Sequence, residues 1–336
     1  MTLLPLGDLA MSFQQKLHGT RIRRDIARLT DELASGRRSD LREATAGHFG
    51  AFAAIEHQLR SLAAHKTSAE EASLFASSLQ VALGTVQESS ADLAPLLLES
   101  ADSAHASWIS ATSSDSRARF STVVSTLNTS AADRTLLGGT ATTGPALADA
   151  ETMLGDLAAA VVAETTAVGV ETIVIAWFDD PGGGFETNGY LGSTTALSPF
   201  RVGSEQSVSL PATAADQEIR DLLKSYALAA LADAGALDGL EAEQGALLGL
   251  AGERMFNANA DVVELRGRIG AAEAAIEVAI SRNVSETTAL RLTRNQMIAA
   301  DPYDAAVDLE AAQLQLEALY TITARAARLT LTDFLR

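Results

Sequence analysis

Asp179 and Asp180 stand side by side ahead of Pro181 and three glycines, Gly182-Gly183-Gly184. Adjacent carboxylates beside a flexible loop are material for a Ca²⁺ or Mg²⁺ site. A calcium loop also needs oxygens at alternating positions and a closing Glu, and both are missing here. A helix stop followed by a turn explains the same residues. The glycines are not followed by Gly-Lys-Ser/Thr and do not form GxGxxG, so they do not make a phosphate loop. His48, His57 and His65 are spaced by 9 and 8 residues, whereas ligands on one helix face need spacings of 3 or 4. HExxH is absent. Serines are plentiful, yet there is no GxSxG elbow, and all five His lie at or before His105. The chain has no Cys, which removes thiol catalysis, disulfides, zinc fingers and iron–sulfur clusters. No catalytic, cofactor-binding or metal-binding set can be named, so the expectation is a non-enzymatic protein without a cofactor.

One basic cluster exists: Arg21, Arg23, Arg24, Arg28, Arg37, Arg38 and Arg42. Aromatic residues for stacking on bases are nearly absent around it, which argues against nucleic acid. A solvated helix face, or a charge match to an acidic neighbouring subunit, fits better. Over all 336 residues, 25 Lys+Arg face 43 Asp+Glu, for a net charge of −18. Such a balance disfavours both nucleic acid and anionic membrane as the main partner. Residues 151–250 alone hold 3 basic and 15 acidic side chains. Gly and Pro gather in the same region, at 181–184, Pro199, Gly203 and Pro211. That shift in composition marks about 140–235 as a separate unit. With 47% hydrophobic residues, disorder throughout is excluded. The first residues lack the basic start, apolar run and cleavage site of a secretory signal, and no run of 18 apolar residues suits a membrane span.

The elements that would position any site are helical. Ile22, Ile26, Leu29 and Leu33 step by 4, 3 and 4, and Phe75, Leu79, Ala82 and Val86 step in the same way. Leu265, Ile269, Ala272, Ile276 and Ala279 continue the pattern in the C-terminal flank, as do Leu309, Ala312, Leu316, Leu319, Thr323 and Ala326. Steps of 3 and 4 keep a narrow apolar stripe on one face, as coiled-coil packing requires. Each buried Leu or Ile contributes about 1.5–3 kcal/mol, so thin Ala-rich stripes need partners, either the other flank or other subunits.

Punctuation sets the boundaries. Gly36 suits the position after a helix. Asp301 and Pro302 suit N-cap and first turn. Pro95 predicts a kink or break in a helical run over about 68–112. Nothing breaks a helix between about 240 and 299, a length of about 90 Å, which predicts an elongated molecule. Residues 199–202 and 206–210 flank Gly203-Ser204-Glu205 as a β-hairpin. Residues 170–178 fit either strand or helix, with helix preferred. Gly245, Gly249 and Gly252 recur at helical spacing and predict close approach of two soluble helices.

The terminal residues resemble a known family. Leu29-Thr30-Asp31-Glu32-Leu33-Ala34-Ser35-Gly36-Arg37-Arg38 resembles the end of the N-terminal helix of bacterial flagellins and their hook-associated relatives. Leu314 through Arg325, continuing as Leu329-Thr330-Leu331-Thr332-Asp333-Phe334-Leu335, resembles the matching C-terminal helix. Leu137-Gly138-Gly139-Thr140 is similar to a turn where the hook–filament junction family, hook-associated protein 3, enters its variable domain. Trp177-Phe178-Asp179-Asp180-Pro181 with Phe200-Arg201-Val202-Gly203 is similar to alphaproteobacterial members of that family. Ser39–Glu43 stands where flagellins carry an Asn-rich segment, which favours the junction family over flagellin itself.

The resemblance implies an axial protein of the flagellum. It would be exported through the flagellar type III pathway without a cleaved signal, with an export chaperone, and be located outside the cell. Its partners would be further copies in a ring or helix, neighbouring hook-associated proteins and flagellin. The combined expectation is a mainly α, elongated, flagellin-like rod with an inserted small α+β domain. Residues 1–45 with 301–336 would form a terminal coiled coil, 46–140 with 240–300 a helical rod domain, and 141–239 the variable insert. Assembly would bury Ile22, Ile26, Leu29, Leu33, Leu309, Leu316, Leu319 and Ile322 across chains, opposed by ordering entropy. The alternatives are a short flagellin, a cytosolic helical signalling or adaptor module, and an enzyme in the acidic middle.

Overall fold

The computed structural model describes residues 6–45, 47, 49–101 and 105–334. His48 and Leu335 therefore lie outside the described residues, and the side chain of Ala326 is not described. The chain is mainly α, 74% helical, with two small antiparallel sheets. In order, the elements are α1 (Leu6–Ser35), α2 (Leu41–Ala44), α3 (Phe49–Ala101), α4 (Ala106–Leu127), β1 (Ser130–Ala131), β2 (Arg134–Thr135), α5 (Ala150–Val161) and α6 (Ala167–Asp179). A π-helical turn (Phe185–Gly189), β3 (Phe200–Arg201), β4 (Ser207–Val208), α7 (Gln217–Leu231), α8 (Glu241–Met297) and α9 (Pro302–Phe334) follow. The chain divides into two compact units, residues 1–62 with 285–336 and residues 63–284.

In the larger unit the two Ala-rich stripes meet. Phe75, Leu79, Ala82 and Val86 of α3 join Leu265, Ile269, Ile276 and Ala279 of α8 in one buried cluster. Glycines let the helices come close. A Cβ on Gly249 would sit 2.9 Å from the Ala101 Cβ, and one on Gly252 3.0 Å from Leu98 Cγ. Polar side chains fix the register: Gln80 Nε2 donates to the Arg266 carbonyl at 2.8 Å, and Arg266 Nε donates to Gln80 Oε1 at 3.1 Å.

Helix α3 continues through Pro95 to Ala101, so that residue does not break it. An interior proline costs about 3 kcal/mol. Leu93, Ala94 and Leu97 on the same turn are 0%, 3% and 0% exposed, and burying two Leu offsets that cost at about 1.5–3 kcal/mol each. Helix α8 is unbroken from Glu241 to Met297, as its sequence implies.

Helix α7 is the centre of the larger unit. Every residue from Leu222 to Leu231 is buried, so the helix is covered on all sides over these ten residues. From α4, Ser113 Oγ donates to the Ala229 carbonyl at 2.7 Å and accepts from the Asp233 amide at 2.8 Å. Helix α6 covers residues that sequence alone left between strand and helix. β3 and β4 pair antiparallel, Phe200 opposite Val208, as the expected hairpin. The hairpin docks through the Phe75–Phe200 ring contact at 6.0 Å and through Asn283 Nδ2, which donates to the Val202 carbonyl at 2.9 Å. Gly139 has φ +61°, and a Cβ there would lie 2.3 Å from the Ser193 carbonyl oxygen. The Gly138-Gly139 turn is thus packed directly on the 193–195 backbone, to which the Thr140 amide donates at 2.9 Å.

Candidate assembly interface

The smaller unit is built on α1 and α9, the two seams read from the terminal sequences. The α1 seam ends at Gly36, which has φ +66° and whose amide donates to the Glu32 carbonyl at 2.8 Å. The α9 seam starts at Asp301: its carboxylate accepts from the Tyr303 amide at 2.8 Å, with Pro302 as the first helical residue. Both ends therefore use the capping chemistry expected of them. Between the two helices the backbones cross-link. The Arg38 amide donates to the Ile298 carbonyl at 2.8 Å, the Ala300 amide donates to the Gly36 carbonyl at 3.0 Å, and Arg37 faces Ala299 in an antiparallel bridge. Glu32, 6% exposed, accepts from Arg28 Nη1 at 3.1 Å and from the Ser39 amide at 2.9 Å, which fixes the turn leaving α1.

These links set α1 and α9 antiparallel and bring most of the candidate interface residues together. Ile22 and Leu29 form a buried cluster with Ala312, and Ile26, Leu309, Leu316 and Leu319 pack half-buried against it. Gly19 makes room for Leu319: a Cβ there would be 3.2 Å from Leu319 Cδ2. Two of the eight residues stay outside. Leu33 is 41% and Ile322 57% exposed. With Gly19 level with Leu319, Ile322 falls beside the polar stretch Gln14-Gln15-Lys16, which offers no apolar surface. Six of the eight thus pack within one chain, in a core only one side chain deep.

Sequence reasoning passed over the outward rows. Phe13 and Leu17 on α1, and Tyr303, Val307 and Leu314 on α9, are large, apolar and exposed. Leu314 lies two residues from Ala312, hence on the opposite side of the helix. The signal was present as a second 4-and-7 spacing, Tyr303, Val307, Leu314, hidden behind the richer seam. Beside these rows, Arg21, Arg23 and Arg24 are exposed on α1.

The other sequence candidates sit elsewhere. His57 and His65 both lie on α3, and among the described residues no group of three His, Cys, Asp or Glu is placed to hold a metal. Asp179 ends α6, and its carboxylate pairs with Lys224 and, at 3.7 Å, with Arg220. Lys224, 2% exposed, also meets Asp221 at 2.5 Å. This ion cluster around the buried Lys224 was not foreseen, because Asp179 and Lys224 lie on different helices, 45 residues apart. Among the described residues, no helix is long and apolar enough to cross a membrane.

Residues 243–335 match the family model of the bacterial flagellin C-terminal helical region. They comprise nearly all of α8 and α9. No curated protein matches the chain. The match supports the flagellin family and, for this chain, a structural part in the bacterial flagellum. That family is structural and non-enzymatic, is exported to the extracellular flagellum, and self-assembles into a flagellar polymer.

Proposed function

We propose that the chain is the adaptor at the hook–filament junction on which flagellin polymerises. Residues 1–45 with 301–336 form its inner-core coiled coil, 46–140 with 240–300 its rod domain, and 141–239 an insert on the outside. It is exported without a cleaved signal, with a chaperone's help, and assembles with its own copies, hook-associated neighbours and flagellin. The observation that carries the reading is the terminal pair. Its own seam is one side chain deep, and Phe13, Leu17, Leu33, Val307, Leu314 and Ile322 remain exposed around it. Rows of exposed apolar side chains on both helices call for neighbours on several sides, as packing into a tube provides. The junction motifs Leu137–Thr140 and Trp177–Pro181 separate this reading from a short flagellin, which the C-terminal match alone favours equally.

Quantitative mass spectrometry of sheared flagella, with filament separated from hook–basal-body material, tests it. Trace amounts enriched at the hook end are expected. Bulk abundance along the filament would make the chain a flagellin. Absence from both fractions would point to a cytosolic helical module instead.

A further inference from the structure

The two terminal helices are opposite in charge and do not neutralise each other. Between residues 13 and 35, α1 carries five basic and three acidic side chains; between 302 and 324, α9 carries four acidic and none basic. Yet among the described residues no ion pair joins the two helices. Arg28 Nη1 pairs within α1, with Glu32 Oε1 at 3.1 Å. Arg21, Arg24, Glu310 and Glu317 are all exposed, and among the described residues none of the four has an ionic partner.

The cause is direction. The seam buries Ile22 and Ala312. Arg24 and Leu314 each lie two residues further on, about 200° round the helix, and so face away from the seam. Leu17, Arg21 and Arg24 step by 4 and 3 along that outer face of α1, and Glu310, Leu314 and Glu317 step by 4 and 3 along that of α9. Leu17 is 56% and Leu314 60% exposed. Each outer face therefore combines apolar surface with charge of a single sign, positive on α1 and negative on α9.

The heights match as well. The close approach of Gly19 to Leu319 puts these two residues level in the antiparallel pair. Both helices rise equally per residue, so Arg21 is level with Glu317, Arg24 with Leu314 and Arg28 with Glu310. Within one chain these side chains point apart. In a ring the copies stand at one height, and the α9 of the next copy offers the same levels to the outer face of α1.

We propose that copies of this chain join through two different faces, the outer face of α1 on one copy against the outer face of α9 on the next. Arg21 meets Glu317, and Arg24 lies over Leu314 between Glu310 and Glu317. The Arg24 stem covers the leucine while its guanidinium reaches the carboxylates. The occupant is a second copy because the complement of each face is present on the chain itself. Such a contact leaves every copy with one face still to offer, so it repeats from copy to copy and closes as a ring or runs on as a helix. Exposed ion pairs add little strength. Complementary charge instead decides which faces meet, and it suppresses α1 on α1 and α9 on α9. The inference rests on the reading of the chain as a part that assembles with its own copies, and adds which surfaces meet.

Sedimentation velocity of the purified full-length chain, at rising protein concentration in low and high salt, tests the contact. The parent should self-associate in low salt and dissociate as salt screens the charges. R21E/R24E sets acid against acid, and E310R/E317R sets base against base. Each variant alone should associate at least about tenfold more weakly, with the far-UV circular dichroism unchanged because all four side chains are exposed. An equimolar mixture of the two should recover the parental association, since each variant finds its complement only on the other. A reversed variant that associates as the parent does, or a mixture no stronger than its parts, would overturn the contact. So would a parent that stays monomeric, which would leave the two faces to other flagellar proteins. The hook-end location tests the function separately. A chain found there whose reversal variants are unaffected loses this inference alone; one absent from flagella that shows the rescue in solution loses the junction function alone.

Discussion

Replacing Leu314 by aspartate separates folding of the chain from its assembly. Leu314 is 60% exposed on α9, so the folded chain has used little of its apolar surface. Full burial of a leucine is worth about 1.5–3 kcal/mol, which leaves about 1–2 kcal/mol to be gained when a neighbouring subunit covers it. An aspartate forfeits that gain and adds the cost of taking a charge out of water, several kcal/mol. A combined loss of at least about 3 kcal/mol weakens each subunit contact more than a hundredfold, at about 1.4 kcal/mol per factor of ten. Within the monomer the change costs no more than a helix-propensity difference, under about 1 kcal/mol. The assay has two arms. Circular dichroism of purified L314D should match the parent, and mass spectrometry of sheared flagella from cells expressing it should find it missing from the hook end. Normal incorporation of L314D would refute the claim that this face is covered in the assembly. L316D is the companion variant: Leu316 already packs in the α1–α9 seam, so it should lose helicity in the monomer and fail to incorporate while still being exported.

Three further outcomes are expected. Gly267→Ala and Gly249→Ala are the same chemical change on one helix with opposite results. Nothing lies within 4 Å of a Cβ at 267, so that variant should gain about 1 kcal/mol in urea denaturation, whereas at 249 the Ala101 Cβ lies 2.9 Å away and overpacking of about 1–3 kcal/mol should cancel or reverse the gain; equal gains would disprove the α3–α8 approach. Burial pushes the Tyr226 hydroxyl up to about 12. Because the folded value exceeds the unfolded one, its stabilisation is complete below about pH 10 and disappears between about 10 and 12, a loss near 3 kcal/mol that Tyr226→Phe should not show across the same window. Gly184→Ala should drive Trp177 from its packing, seen as a red shift of its fluorescence and a lower Tm, since a Cβ there would lie 1.8 Å from Nε1; a variant with unchanged emission would contradict the packing.

Periodicity and caps made the long helices legible. The seams of α1, α3, α8 and α9, the Gly36 stop and the Asp301-Pro302 start all follow from local rules, as does the β3–β4 hairpin with its Gly-Ser-Glu turn. What escaped depends on partners distant in sequence. Pro95 signals a break wherever it stands, and only the burial of Leu93 and Leu97 outweighs it. The β1–β2 hairpin turns through Ala132 and Asp133, both at positive φ, where sequence rules look for glycine or asparagine. Ser113 looks like any helical serine until the C-terminal end of α7 arrives beside it. Among the eight candidate interface residues, Leu33 and Ile322 share the spacing of the rest. Their exposure follows from the register of two helices almost three hundred residues apart, which spacing within either helix does not encode.

The enclosure of the last ten residues of α7 gives the larger unit a slow clock. A helix whose last ten residues are all buried has no local route by which its amides meet solvent, so these protons exchange only when the whole unit opens. The α1–α9 pair, one side chain deep, offers many such local routes. Deuterium entering the protein should therefore label the terminal helices early and α7 last, and the delay between them measures how much longer the body of the molecule outlasts its ends.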